Sequence, residues 1–377
     1  MKPNNKKFEC RLCNSRNVES VINLDGFPKA AQHFISDFKN PESDDPITLI
    51  VCQCIDCGLI QLKNNPVSYY KDVITAASLS EESKKNLVDE WRPFIKKYSI
   101  SGKDAIEIGS GRGDFIEVLK RLNVNAYGIE HSSENVQQCK QKKLNVDKIY
   151  LTELTKTHTK KYSLVVCNNF LEHQPETKGF LNCLRNLLSD DGVIYISVPN
   201  VDYLLDKACL YEFVADHLVY FTEKTLKKAL EINGFNILES YKKNNGNDLV
   251  VIAKLEPKVN ISGAIETVSE IVKSIQKEVN KYENIAIWSA GHRALALMAI
   301  AKLSKIKYVV DSAIFKQGKF TPILHKKIIS PKEFLKIECD LLIIMLPGNY
   351  AEQIVRFVEE NRITCKVIVF EDKALLN

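Results

Sequence analysis

Ala105-Ile-Glu-Ile-Gly-Ser-Gly-Arg-Gly-Asp114 decides the fold of this 377-residue chain. A short apolar strand runs into three glycines, and the residues that follow, Phe115 to Leu122, have helical spacing. Glycines at 109, 111 and 113 let the main chain turn tightly at the carboxyl edge of a parallel sheet and lie against a ligand that a Cβ would push away. A dinucleotide fold would place G-x-G-x-x-G here, with pyrophosphate on the amides of the helix N-terminus. In this chain the third glycine comes one position early, Asp114 stands where an anion would sit, and Glu107 precedes the first glycine by two residues. Carboxylates repel pyrophosphate. They suit a cofactor with a cationic amino-acid end, which points to S-adenosylmethionine with its positive α-amino group and sulfonium.

A second strand, Val124 to Glu130, ends in a carboxylate about 20 residues after the loop, the spacing at which an acid holds ribose hydroxyls. Glu130 is the expected ribose ligand. Tyr162 to Cys167 and Gly192 to Pro199 read as further buried strands, with helix-like segments between. Phe235 to Tyr241 and Asp248 to Lys254 read as a closing hairpin across the turn-prone Lys243 to Asn247. The pattern predicts an α/β fold, a doubly wound seven-stranded sheet of the class I methyltransferase type. The expected cofactor-binding residues are Glu107, Gly109, Ser110, Gly111, Gly113 and Asp114 in the loop, with Glu130, His131 and Asn168 at the ends of the next strands.

Hydrophobic residues make up 45% and charged residues 26% of the chain, enough apolar material for packed interiors and no signature of disorder. The length implies two or three domains. No apolar run approaches the ~18 residues of a membrane span, and Met1 to Lys7 lacks the apolar core of a signal peptide. A cytoplasmic protein without membrane partners is expected. There, eleven cysteines are not expected to form disulfides. A net charge of +5 favours a phosphorylated substrate, yet the chain lacks the Lys/Arg block of a nucleic-acid binder.

Four cysteines form two C-x-x-C knuckles, Cys10-Arg-Leu-Cys13 and Cys54-Ile-Asp-Cys57, with 40 residues between them. Four thiolates close a tetrahedral Zn²⁺ sphere and leave no position for water, so the zinc expected there is structural. Cys52 is spare. The expected domains are a zinc module (1–67), a core (68–257) entered through a polar helix from Ser80 to Tyr98, and a C-terminal α/β substrate-binding domain (258–377). The last begins with an amphipathic helix on Ile261, Ile265, Val268, Val272, Ile275 and Val279, and continues from Ile285 as a smaller Rossmann-like unit. Its Gly291 either lets a phosphate approach the next helix, with His292 and Arg293 adding positive charge, or only makes the strand-to-helix turn.

The order of zinc knuckles, methyltransferase core and trailing α/β domain resembles the three-domain deoxysugar C-methyltransferases of bacterial sugar-nucleotide pathways, along nearly the whole chain. Cys54 to Leu62, Asn168-Asn-Phe-Leu-Glu-His173, Asp216-His-Leu-Val-Tyr-Phe221 and Val310 to Pro322 carry the likeness. It implies a dTDP-linked 4-keto-deoxysugar between the middle and C-terminal domains, methylated at the carbon next to the ketone. It implies His217, with Asp216 beside it, as the base and His173 as polariser of the keto oxygen. Apart from the resemblance, Glu172 is read as facing the sulfonium or orienting the histidine, and Lys316 and Lys319 as diphosphate contacts or as simply solvated loop lysines. The family pattern Tyr-x-Glu-His reads Val214-Ala-Asp-His217 here, with Tyr211 and Tyr220 as nearby stand-ins. Glu172 stands where an apolar residue is usual, and Ile323 and Leu324 replace a Gly-Thr pair. An unperturbed pKa near 6.5 suits a histidine to either task. Each histidine also has a structural reading, His173 as a cap at the sheet edge and His217 as a core residue bonded to Asp216. A monomer or homodimer is expected.

Other readings remain open on sequence. O- or N-methylation of a sugar nucleotide uses the same core. An RNA methyltransferase can carry a cysteine-rich module, but Asp37, Glu42, Asp44 and Asp45 between the knuckles argue against a phosphate-binding surface. Glu107 and Asp114 disfavour an NAD-dependent oxidoreductase, and a non-catalytic cofactor-binding protein is the remaining alternative.

Overall fold

Three strands precede the glycine loop: β1 (Val18–Phe27), β2 (Ile47–Cys54) and β3 (Ile60–Leu62). They pair antiparallel in that order, and the free edge of β3 pairs with a two-residue strand from far along the chain, β9 (Val219–Tyr220), to complete a four-stranded sheet. The structure is a computed structural model that describes residues 8–29, 45–72, 78–154, 160–346, 349–371 and 374–376; Asp37, Glu42 and Asp44 lie outside them. The chain divides into two units, Met1–Pro257 and Lys258–Asn377. The four-stranded sheet belongs to the first, together with the methyltransferase-type core.

The core sheet holds β4 (Asp104–Ile108), β5 (Asn125–Glu130), β6 (Asn145–Lys148), β7 (Tyr162–Asn168), β8 (Leu188–Pro199), β10 (Phe235–Lys243) and β11 (Asp248–Leu255), in the order β10-β11-β8-β7-β4-β5-β6. All neighbours run parallel except β11, which is antiparallel to β8 and β10. This is the seven-stranded class I arrangement that the sequence predicts. The middle strands are near-continuous apolar runs because helices cover both faces. The chain leaves β4 for β5 on one side and returns to β7 on the other, so the crevice at their carboxyl ends is the topological switch point where ligands bind. Helix α1 (Glu81–Lys97) is capped by Ser80, whose hydroxyl accepts the Ser83 N–H, and Val88, Trp91 and Ile95 turn its apolar side to the core. Helix α2 (Asp114–Arg121) starts directly from the glycine loop.

In the second unit β12 (Ile285–Trp288), β13 (Tyr308–Val310), β14 (Lys327–Ile329), β15 (Leu341–Ile344) and β16 (Lys366–Glu371) form a parallel sheet in the order β14-β13-β12-β15-β16, with β17 (Ala374–Leu376) antiparallel at its edge. The helix expected after Pro257 spans Ser262–Val279, but only Ile275 and Val279 are buried. Ile261, Ile265 and Val268 at its start are exposed, so the periodic stripe fixes the helix and not what covers it. Among the described residues no helix is long and apolar enough to cross a membrane.

Candidate functional site

At the switch point lies a cavity of about 400 Å³. Glu107, Gly109, Ser110, Gly111, Asp114, Glu130 and Asn168 line it, seven of the nine residues the sequence selects. The other two lie outside its lining among the described residues. Gly113, at φ 79°, packs so closely on Leu144 and Cys139 that a Cβ would come within 2.4 Å of the leucine. His131 faces a small crevice with Tyr150. The glycines thus serve close packing of protein on protein as well as any ligand, for a Cβ on Gly109 would come within 2.8 Å of the Phe170 ring.

The three acids have different fates. Glu130 accepts the Gly111 N–H at 2.8 Å on one oxygen and the Ser132 N–H at 2.8 Å on the other, so it closes the loop while keeping lone pairs toward the cavity. Asp114 accepts the Leu79 N–H at 3.0 Å and sits 3.2 Å from both Lys84 and Lys142. Burial opposes its ionisation, yet that N–H and the two lysines hold its pKa below the ordinary value. Asp114 thus already has two cations beside it, unlike Glu107. That side chain is buried, with one oxygen lacking a hydrogen-bond partner among the described residues. Burial, then the charges of Glu130 and Asp114, push its pKa well above the carboxylate range. A buried carboxyl with an unmade bond is costly until a cation arrives, and the α-amino end of S-adenosylmethionine fits that demand. Trp91, Phe115, Phe170 and Tyr195 add an aromatic wall, with Trp91 4.7 Å from Phe115 and 4.6 Å from Tyr195 between ring centroids. The sequence reading missed this wall; a tryptophan in an otherwise polar helix was its only signal.

Beyond the wall residues Asn168, Asn169 and Phe170, the chain makes a single 3-10 turn, Leu171–His173. There Glu172, His173 and His217 gather, with donor atoms within 4.8 Å of one another. The two imidazoles meet edge to face, 4.6 Å between centroids. His173 Nδ1 lies 2.8 Å from the main-chain carbonyl of Asp216. A carbonyl only accepts, so Nδ1 carries the proton and Nε2 of the neutral ring presents a lone pair. Burial lowers the His173 pKa, with the Asp216 carbonyl and charge opposing. A neutral His173 of this tautomer cannot polarise a ketone through Nε2, which corrects the role the resemblance implied. Asp216 thus supports His173 through its main chain. His217 is half-buried, and burial followed by the nearness of His173 lowers its pKa to about 3. Tyr220 is no stand-in donor: its hydroxyl accepts the Val214 N–H at 2.9 Å and donates to the Val214 carbonyl at 3.2 Å, which braces the loop before His217. Tyr211 is exposed.

Main-chain bonds from the N-terminal sheet hold this loop. The Leu62 N–H donates to the Leu218 carbonyl at 2.9 Å, Gln61 pairs with Val219, and the Leu218 N–H donates to the Glu172 carbonyl at 2.8 Å. The Arg11 guanidinium reaches the carbonyls of Leu62, Asn64 and Pro175. Next to Arg11, Cys10 Sγ lies 3.6 Å from Cys57 Sγ, and Cys13 Sγ 3.5 Å from Cys54 Sγ. These spacings are too long for disulfides at about 2.05 Å and close to the ~3.8 Å edge of a tetrahedron with 2.3 Å zinc–sulfur bonds. Cys52 turns away and donates to the Gln61 carbonyl.

In the second unit, Gly291 opens the helix His292–Ile300, but the turn spends its amides internally: Ala290 N–H on Asp311 and Gly291 N–H on the Ser289 hydroxyl. Lys316, expected at a diphosphate, pairs with Asp311 at 2.9 Å, while Lys319 is exposed. The turn reading of Gly291 is the one this geometry favours, since a carboxylate fills the place of an anion.

Residues 81–240 match a family model described as a methyltransferase domain, and residues 254–369 one described as a C-methyltransferase C-terminal domain. C-methyltransferase NovU of Streptomyces niveus is 21% identical over 387 residues, covering 92% of this chain and 91% of that protein. The ubiquinone biosynthesis O-methyltransferase of Glaesserella parasuis is 28% identical over 115 residues, covering 28% of this chain and 49% of its own length. Among solved structures, a SAM-dependent methyltransferase from Archaeoglobus fulgidus has a TM-score of 0.38 at 22% identity, covering 46% of this chain and 94% of that one.

Proposed function

We propose that this chain, an S-adenosylmethionine-dependent class I methyltransferase, methylates the carbon next to a ketone on a nucleotide-linked deoxysugar. The observation that carries this reading is the trio Glu172, His173 and His217, acid–base groups brought together where the turn that follows the cavity meets the loop before β9. A proton on carbon next to a ketone is acidic only when its carbanion delocalises into an enolate, so a base at the carbon and a donor at the oxygen are needed. His217, the more open of the two histidines, takes the proton and later releases it to solvent. His173, its tautomer fixed by the Asp216 carbonyl, orients it edge to face. Bound S-adenosylmethionine supplies an electrophilic methyl group on a sulfonium. Glu107 holds its cationic end and Glu130 its ribose.

The C-methyltransferase match of residues 254–369 and the end-to-end likeness to NovU support carbon as the acceptor. The resemblance to deoxysugar enzymes and the positive net charge support a sugar nucleotide, dTDP-linked in that family. In the same reading Cys10, Cys13, Cys54 and Cys57 hold a closed Zn²⁺ that does no chemistry, and the protein works without nucleic acid or membrane in the cytoplasm. Incubation with labelled cofactor and a panel of nucleotide-linked keto-sugars is expected to yield a product with a methyl-on-carbon signal by NMR. A methoxy or N-methyl product would overturn carbon transfer.

A further inference from the structure

The enolate reading needs a group that holds the oxyanion, and His173 in its fixed tautomer is not that group. Glu172 stands beside it, 2% exposed, with Oε1 3.9 Å from His173 Nε2. Its Oε2 is buried without a hydrogen-bond partner among the described residues. Its main chain is fixed, since its carbonyl accepts the Leu218 N–H and it lies inside the 3-10 turn. The titratable groups that face it are Asp248, Cys167, Tyr220 and the two histidines, none a resident cation. An ionised carboxylate with an unmade bond is disfavoured there, whereas a carboxylic acid brings its own O–H donor. Burial, with the Asp248 charge adding, raises its pKa to about 8 despite an opposing main-chain bond, so it is protonated at neutral pH.

We propose that Glu172 is a catalytic residue, a neutral carboxyl that donates its O–H to the ketone oxygen as negative charge gathers there. This rests on the enolate reading above. When His217 takes the carbon-bound proton, the C–H electron pair forms the C=C bond and the C=O π pair moves onto oxygen. The Glu172 proton stays on Glu172. On methyl transfer the carbonyl re-forms, the carbon gains the C–CH₃ bond, and the S–CH₃ pair remains on sulfur. A carboxylic acid kept neutral by an apolar setting is an efficient donor because it needs no reorganisation as charge develops.

The test compares wild type, Glu172→Gln and Glu172→Leu as full-length proteins, reading solvent deuterium wash-in next to the ketone without cofactor, then methyl transfer against pH. Glutamine keeps an N–H donor and is expected to retain both activities within about tenfold, while leucine loses about 100- to 1,000-fold in each, the usual effect of removing one oxyanion donor. Adenosylhomocysteine affinity and melting should hold in both variants. The wild-type rate should fall above pH about 8 as the O–H ionises, and Glu172→Gln should lack that limb. Undiminished wash-in in Glu172→Leu would overturn the role of Glu172. So would a glutamine variant as inactive as leucine, which would mean a carboxylate is required, or a metal ion beyond the zinc that both variants release. Absent wash-in in well-folded wild type would instead sink the enolate reading itself.

Discussion

The proposed cofactor end and the proposed acceptor end of the first unit are built by opposite means. At the cofactor end residues 104–130 assemble most of their own site: Gly109 and Ser110 donate to the Ile129 carbonyl, and Glu130 reaches back to the Gly111 N–H. At the acceptor end the parts come from far apart. The turn at Glu172 and His173, the loop from Val214 to Tyr220 and strand β3 are joined by main-chain bonds, and the one between Leu62 and Leu218 spans more than a hundred residues. The cofactor site follows from one local run of sequence, whereas the position of His217 depends on a separate four-stranded sheet.

Two substitutions separate the ends. His217→Ala should lower methyl transfer by more than about 100-fold, the usual reach of a general base, while adenosylhomocysteine affinity in calorimetry stays within a few-fold. Cofactor affinity falling in parallel would mean that the ends are not independent. Glu107→Gln should do the reverse and more mildly. It weakens S-adenosylmethionine about tenfold, as expected for one charge-assisted hydrogen bond, and leaves deuterium wash-in unchanged. Unaltered cofactor binding would remove Glu107 as the partner of the cationic end.

The same contrast explains what the sequence could show. Strands β4, β5, β7, β8 and β11 are legible because burial on both faces leaves apolar runs, and β10, an edge strand in which only Phe235 is buried, is legible through the turn-prone Lys243 to Asn247 that joins it to β11. Strand β6 was missed, for as an edge strand it buries only Val146 and has no pattern to read. Strand β9 has two residues and a partner far away in sequence, so no local rule finds it. The four zinc-spaced cysteines were legible from spacing alone, and the sulfur atoms do converge. The pairing of Asp114 was not, because Lys84 and Lys142 arrive from two different helices and look like ordinary solvated charge. The tautomer of His173 was equally hidden: a main-chain carbonyl sets it, and every residue type carries one.

The dependence of the histidine loop on the four-stranded sheet is tested most directly by chelating the zinc proposed at the four cysteines. Closed zinc sites contribute about 10–16 kcal/mol of apparent binding free energy to folding in isolated zinc fingers, so chelation, or Cys13→Ser, should be felt well beyond the knuckles. Hydrogen–deuterium exchange read peptide by peptide, alongside an adenosylhomocysteine titration, is the measurement. Residues 8–29, 45–62 and 217–221 should lose protection together, while residues 104–130 stay protected and cofactor-product affinity holds. Continued protection of 217–221 after chelation, or affinity that collapses in step with it, would contradict the account.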